Sequence, residues 1–159
     1  MELKIGDEAS DFSLVNTSGE KTSLSLFRNK NVVILFFPFA YSSVCTREMC
    51  TIQNDLSKYN ELDAVVIGIS VDSHFTLKMW AETHNLNFPL LSDFNKIVTA
   101  KYGVMNELFA PGKFDYFGVS KRAAFVVDKA GFIRYAEVIV TPDTEPNYIE
   151  IKKTLENFR

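Results

Sequence analysis

Val32-Val33-Ile34-Leu35-Phe36-Phe37 runs into Pro38-Phe39-Ala40-Tyr41-Ser42-Ser43-Val44 and then into Cys45-Thr46-Arg47-Glu48-Met49-Cys50. The first six residues are uniformly apolar and rich in β-branched and aromatic types, as in a central strand covered on both faces. Pro38 breaks that run, and the next residues form a short loop. From Cys45 the period turns helical. Cys45, Met49, Ile52, Leu56 and Tyr59 fall on one stripe, with Thr46, Asn54 and Ser57 on the other side. A buried strand, a loop and a helix that opens on a thiol make that thiol reactive. Free N–H groups and the positive end of the helix dipole both favour thiolate over thiol.

Upstream, Asp11 to Val15 reads as a short strand and Lys21 to Leu26 as a second, with Ser18-Gly19 as the turn between them. Downstream, Ala64 to Val71 is another buried strand. Ser73 caps a helix whose face carries Leu77, Trp80, Ala81 and His84. Phe88 to Leu91 is a short extended piece. A helix runs from about Phe94 toward Gly103, its C-terminal stop. Met105 to Ser120, with Pro111, Gly112 and Gly118, reads as a long loop. Ala123 to Asp128 and Phe132 to Val140 form a hairpin across Lys129-Ala130-Gly131. Pro146 opens a last helix with Tyr148, Ile151, Leu155 and Phe158 on one face. This order predicts an α/β fold, a mixed central sheet flanked by helices on both faces. Without repeats, linkers or low-complexity tracts, residues 1–159 read as a single domain.

Bulk composition narrows the function. With 47% hydrophobic residues, 14 Phe and 6 Tyr, the chain has enough apolar bulk for a packed core. A net charge of -3 without a charged block points away from nucleic acid and anionic membranes as partners. The longest apolar stretch, Val32 to Tyr41, is interrupted by Pro38 and too short to span a bilayer. Met1 to Asp7 lacks the basic start and apolar core of a signal peptide, so a cytoplasmic location is expected. Two cysteines cannot staple a fold of this size. In a reducing compartment such a pair is catalytic or metal-binding. Zinc is disfavoured: the cysteines are one residue too far apart for the usual pair, and His74 and His84 are much too far apart.

Ionisation alone does not make Cys45 fast, because a more stable thiolate is also less nucleophilic. The site needs donors for the electrophile and its developing charge. Ser42 and the adjacent amides are placed to supply them. A positive charge must come from elsewhere, and spacing does not choose among Arg47, Arg122 and Arg134. Cys50 is set apart from Cys45 by about 7.5 Å of helical rise and about 140° of rotation, or ~8.7 Å between Cα atoms. That exceeds the ~7 Å limit for a disulfide, so the helix must unwind before the two bond. The spacing suits an attacking and a resolving cysteine that meet only after oxidation; a spectator Cys50 is the alternative. Ser42 also reads as a helix N-cap, Pro38 as a strand end, Asp72 as a cap or its neighbour, and Glu48 as a solvated helix residue with a minor role at the site entrance. Trp80, Phe39 and Tyr41 read as core, apolar collar or dimer surface.

Pro38-Phe39-Ala40-Tyr41-Ser42-Ser43-Val44-Cys45 resembles the peroxiredoxin motif of Pro, three residues, Thr or Ser, two residues, Cys. Thr46 to Cys50 is similar to the Q-type peroxiredoxins, or bacterioferritin comigratory proteins, whose resolving cysteine lies five positions on. Lys121 to Asp128 resembles the segment bearing the family's active-site arginine, and Gly6 to Phe12 and Gly68 to Asp72 also fit. Ser42 stands where Thr is commoner. Ser43-Val44 replaces the usual Pro-Gly of Q-type members, and here the loop is closer to the one-cysteine AhpE-like subfamily. The resemblance implies a thioredoxin-like fold and reduction of hydrogen peroxide or organic hydroperoxides, with no metal or organic cofactor. Cys45 would attack the peroxide and become a sulfenic acid. Ser42 and Arg122 would hold and polarise the peroxide, and Pro38 would shield the sulfur. Cys50 would condense with the sulfenate, and thioredoxin or a similar thiol protein would regenerate the pair, in a monomer or homodimer. Three other readings stay open. One is a one-cysteine enzyme with an external resolving thiol. Another is a general disulfide oxidoreductase, against which the gap wider than Cys-x-x-Cys argues. The last is a redox sensor on the same fold.

Overall fold

The computed structural model describes residues 3–158. In chain order the elements are β1 (Ser13–Asn16), β2 (Lys21–Ser23), β3 (Asn31–Phe36), α1 (Ser43–Asn54), α2 (Leu56–Glu61), β4 (Ala64–Ser70), α3 (His74–His84) and β5 (Leu90–Ser92). They continue with α4 (Ile97–Lys101), β6 (Met105–Asn106), β7 (Val119–Ser120), β8 (Arg122–Val127), β9 (Ile133–Ile139) and α5 (Tyr148–Asn157). Seven strands form one mixed sheet in the order β2-β1-β5-β4-β3-β8-β9. β3 runs parallel to β4, and β4 to β5, while β8 lies antiparallel to β3.

The uniformly apolar β3 sits inside this sheet, and its pleat divides its side chains between two cores. Val33, Leu35 and, just past the strand end, Phe37 meet Met49, Ile52, Leu77, Trp80, Ile151 and Leu155 from α1, α3 and α5. Val32, Ile34 and Phe36 meet Phe12, Val98, Tyr102 and Phe125 on the other face. A strand covered on both faces has no use for polar alternation, hence the unbroken run. Gly68 of β4 lies under α1: a Cβ there would stand 2.8 Å from Leu90 Cδ2 and 3.6 Å from Met49 Sδ. No helix among the described residues is long and apolar enough to cross a membrane.

Several boundaries differ from the sequence-based expectation for identifiable reasons. Asp11 is not in a strand; its carboxylate accepts from the amides of Phe12 and Ser25. That turn stops β2 at Ser23, and Leu24–Phe27 becomes a 3-10 helix. The stripe from Cys45 to Tyr59 is interrupted at Asp55 between α1 and α2. α4 starts at Ile97 rather than near Phe94, because the buried Asp93 carboxylate accepts from the amides of Val98 and Thr99. Gly103 follows in the left-handed region, as expected of a helix stop. The expected loop from Met105 to Ser120 carries a small ladder. Met105 pairs with Ser120, and a bridge joins Phe109 to Tyr116. Phe39 packs edge-on against both of those rings, at 5.3 and 5.7 Å. The excursion is thus pinned beside the loop that precedes Cys45.

Candidate active site

Cys45 is the third residue of α1, which opens at the carboxyl end of β3. Ser42 takes the N-cap position in extended conformation, and its carbonyl accepts from Thr46 N at 3.0 Å. The preceding loop is fixed from β4. Asp72 Oδ2 accepts from Ala40 N at 2.8 Å and from Ser70 Oγ at 2.7 Å. Asp72, the neighbour of the α3 cap Ser73, is therefore an anchor for the cysteine loop. The loop also holds Tyr41 at φ 70°, the left-handed region that a bulky residue seldom occupies. Cys45 is wholly buried on the sheet-facing stripe.

Sheet register selects the arginine. Ala123 of β8 lies opposite Phe36, so Arg122 comes level with the end of β3 where the loop begins. It shares its face of the sheet with Ala124 and Val126, which pack in the same core as Cys45 and Met49. Its Nη1 donates to Cys45 Sγ at 3.2 Å and to Glu48 Oε2 at 2.6 Å, and its Nη2 donates to the Pro142 carbonyl at 2.7 Å. The other two candidates are engaged elsewhere: Arg47 with Glu145, Arg134 with Asp128.

Glu48 corrects the sequence reading. It was expected to be solvated, and it is 0% exposed. The cause is elementary: it stands three residues after Cys45 and four before Ile52, on the buried stripe of α1. Burial raises its pKa from the ordinary 4.5 to about 7, and Arg122 only partly offsets this. Only one carboxylate oxygen is paired; among the described residues Glu48 Oε1 and Arg122 Nε have no hydrogen-bond partner. Burial also works against charge on Arg122, but Glu48 and then Cys45 outweigh it and hold the guanidinium charged. Within the Glu48–Arg122 pair, the proton that moves near neutrality is that of Glu48.

A stability prediction follows from the sign of that shift. Between 4.5 and about 7 the folded chain holds a proton that the unfolded chain has lost. The stability Glu48 contributes is full below the lower value and declines as pH rises through the upper one. The melting temperature of the natural protein, measured against Glu48→Gln, is expected to fall from about pH 5 to about pH 8 and then level off. A difference that stays flat over this range would contradict the assignment.

Pro38, Ser42 and Arg122 line one small cavity of about 150 Å³ with Val44, Phe109 and Pro142. Ser42 Oγ donates to the Phe39 carbonyl at 2.9 Å and makes no capping bond. Of the expected residues, Cys45, Arg122, Ser42 and Pro38 are thus gathered around one end of the sheet. Cys50 is a free, partly exposed thiol farther along the wound helix. Trp80 is core: it is buried against Phe37 and donates from Nε1 to Thr46 Oγ1 at 3.2 Å. Tyr41 is half exposed. Sequence reasoning gave Glu48 only a minor role at the site entrance, and it missed the bond by which Asp72 anchors the loop.

Comparison with known proteins agrees with this geometry. Residues 5–136 match the family model described as the AhpC/TSA family. The chain belongs to the AhpC/TSA family. It is 36% identical over 139 residues to alkyl hydroperoxide reductase E of Mycobacterium tuberculosis, covering 86% of each chain. It is 39% identical over 131 residues to the putative peroxiredoxin bcp of Buchnera aphidicola, covering 82% of each. Among solved structures, peroxidoxin BcpB of Mycobacterium tuberculosis superposes with a TM-score of 0.86 at 28% identity, over 99% of both chains. The fold of this AhpC/TSA member is the thioredoxin-like one of the peroxiredoxins, and its class is that of the thiol-dependent peroxidases.

Proposed function

We propose that this AhpC/TSA protein reduces hydrogen peroxide and organic hydroperoxides at Cys45. The observation that carries the reading is the 3.2 Å hydrogen bond from Arg122 Nη1 to Cys45 Sγ at a buried helix start. A guanidinium donor, together with the first-turn amides, stabilises an anionic sulfur. That sulfur attacks the nearer peroxide oxygen. The O–O bond breaks, Cys45 becomes a sulfenate, and water or an alcohol leaves after taking a proton. Arg122 Nε, unpartnered and buried, is a donor available to the oxygen that gathers charge. The Ser42 hydroxyl turns from the Phe39 carbonyl to do the same. Pro38 keeps bulk water from the sulfur.

Cys50 then attacks the sulfur of Cys45. An S–S bond forms, the S–O bond breaks, and hydroxide leaves as water. A thioredoxin-like dithiol protein in the cytosol reduces the disulfide. The intact α1 helix holds the two cysteines about 8.7 Å apart, which favours a second reading in which an external thiol takes the place of Cys50. Intact mass after one equivalent of hydrogen peroxide separates the two. The Cys50 reading expects a loss of two hydrogens in the natural protein and a gain of one oxygen in Cys50→Ser. A gain of one oxygen in both would establish the one-cysteine route.

A further inference from the structure

Three of the four residues between Cys45 and Cys50 are each tied to a different part of the molecule. Thr46 Oγ1 accepts from Trp80 Nε1 of α3. Arg47 Nε donates to Glu145 Oε2 at 2.7 Å, in the segment between β9 and α5. Glu48 accepts from Arg122 of β8. The first tie is part-buried and reaches the core through Trp80; the last is buried and belongs to the catalytic group. The middle one is different: its side chains are 56% and 24% exposed, and it serves neither. Glu145 is itself braced. Tyr148 Oη donates to its Oε1 at 2.7 Å, and the same segment meets Arg122 through the Pro142 carbonyl. Burial opposes the charge on Glu145, but the Tyr148 hydroxyl and Arg47 outweigh it and keep its carboxyl below the usual range.

A wound α1 cannot bring its two cysteines within bonding distance. Any path to the disulfide must therefore displace the backbone around residues 46–48. We propose that the Arg47–Glu145 ion pair is a latch on α1 that sets how fast Cys50 captures the Cys45 sulfenate. This rests on the reading of Cys50 as the resolving cysteine. While the latch holds, the sulfenate persists, and a second peroxide molecule has time to add another oxygen and form the sulfinate. Opening the latch commits the sulfur to the disulfide. Arg47 and Glu145 are positioning residues in this scheme: they act on the helix and not on the peroxide.

The single tryptophan of the chain reports the event, because Trp80 is bonded to the turn that must unwind. The test follows Trp80 emission after one equivalent of hydrogen peroxide, with acid-quenched samples weighed by mass spectrometry. Glu145→Gln removes the charge and keeps an acceptor for Tyr148. Its disulfide is expected to form about threefold faster at low salt, the scale exposed ion pairs reach. The natural protein should resolve faster as salt rises, since added ions screen an exposed pair. Glu145→Gln should show no such response, and the exchange Arg47→Glu/Glu145→Arg should restore the slow, salt-dependent rate. Excess peroxide should leave less sulfinate in Glu145→Gln. Arg47→Gln cuts the same pair from its exposed side and is the control if Glu145→Gln folds poorly. A disulfide that forms in both variants at the natural rate, with the natural salt response, overturns the latch and leaves Cys50 as the resolving cysteine. A natural protein that gains an oxygen and never loses two hydrogens overturns the Cys50 reading, and the latch with it.

Discussion

Cys45→Ser is expected to consume hydrogen peroxide no faster than a protein-free control, with its fold and melting behaviour nearly intact. The substitution exchanges a sulfur for an oxygen in a wholly buried position. The hydroxyl that results stays protonated at neutral pH, and it is a poor nucleophile without an adjacent base. Nothing else in the chain takes over. Cys50 lies about 140° around the helix from Cys45, and Arg122 donates to the Cys45 sulfur. A Cys50→Ser protein, by contrast, keeps its first turnover. Peroxide loss followed in a single-turnover mixture checks both, and a Cys45→Ser protein that consumes peroxide at the natural rate would contradict the assignment.

Arg122→Gln is expected to lower kcat/KM for peroxide by about 10²–10³, the usual consequence of removing a donor aimed at developing charge. Arg122 makes three hydrogen bonds at once, to Cys45, Glu48 and the Pro142 carbonyl. Lysine keeps the charge but not the planar fork that meets all three, so Arg122→Lys recovers only part of the loss. The variant also leaves Glu48 buried without a cation. Removing one partner of a buried pair destabilises by about 3–5 kcal/mol unless the other is neutralised. Burial already raises the Glu48 pKa to about 7, so Glu48 takes up a proton and moderates that effect. Arg122→Gln/Glu48→Gln removes the stranded carboxyl. If the double variant regains stability and not rate, the loss is chemical. If it regains both, Arg122 serves the fold alone.

The fold was legible where one physical requirement dominated the local sequence. Val32 to Phe37 had to be covered on both faces, and the switch to helical spacing at Cys45 followed directly, so β3 and α1 emerged from composition and period. Boundaries set by a distant side chain did not. Asp11 closes a turn on Ser25, and Asp93 starts α4; neither bond leaves a trace in local propensity. The small ladder between Met105 and Ser120 has two-residue strands with no alternation to read.

The site divides in the same way. Cys45 and Ser42 are named by a helix start. Arg122 is not, since its role depends on the pairing of Phe36 with Ala123 across the sheet; resemblance, and not spacing, pointed to it. Glu48 is instructive: a minor role at the site entrance was expected of it, but its burial was not. Its charge suggested a solvated face, but counting three residues on from Cys45 places it on the buried stripe, where only a cation from another strand could make it tolerable. A charged residue at a core position of an amphipathic helix was the available signal. Asp72 was read as a cap or a cap's neighbour, and it does stand beside Ser73, the cap of α3; its bond to Ala40 was not readable because that amide is remote in sequence.

The central claim is that the sulfur of Cys45 takes the peroxide oxygen. Its most direct test is to trap the sulfenate with a carbon nucleophile during reaction of the natural protein with one equivalent of hydrogen peroxide. The trapped site is then located by peptide mass spectrometry. The adduct is expected on Cys45, with Cys50 unmodified. An adduct on Cys50 alone, with Cys45 still a free thiol, would contradict the account.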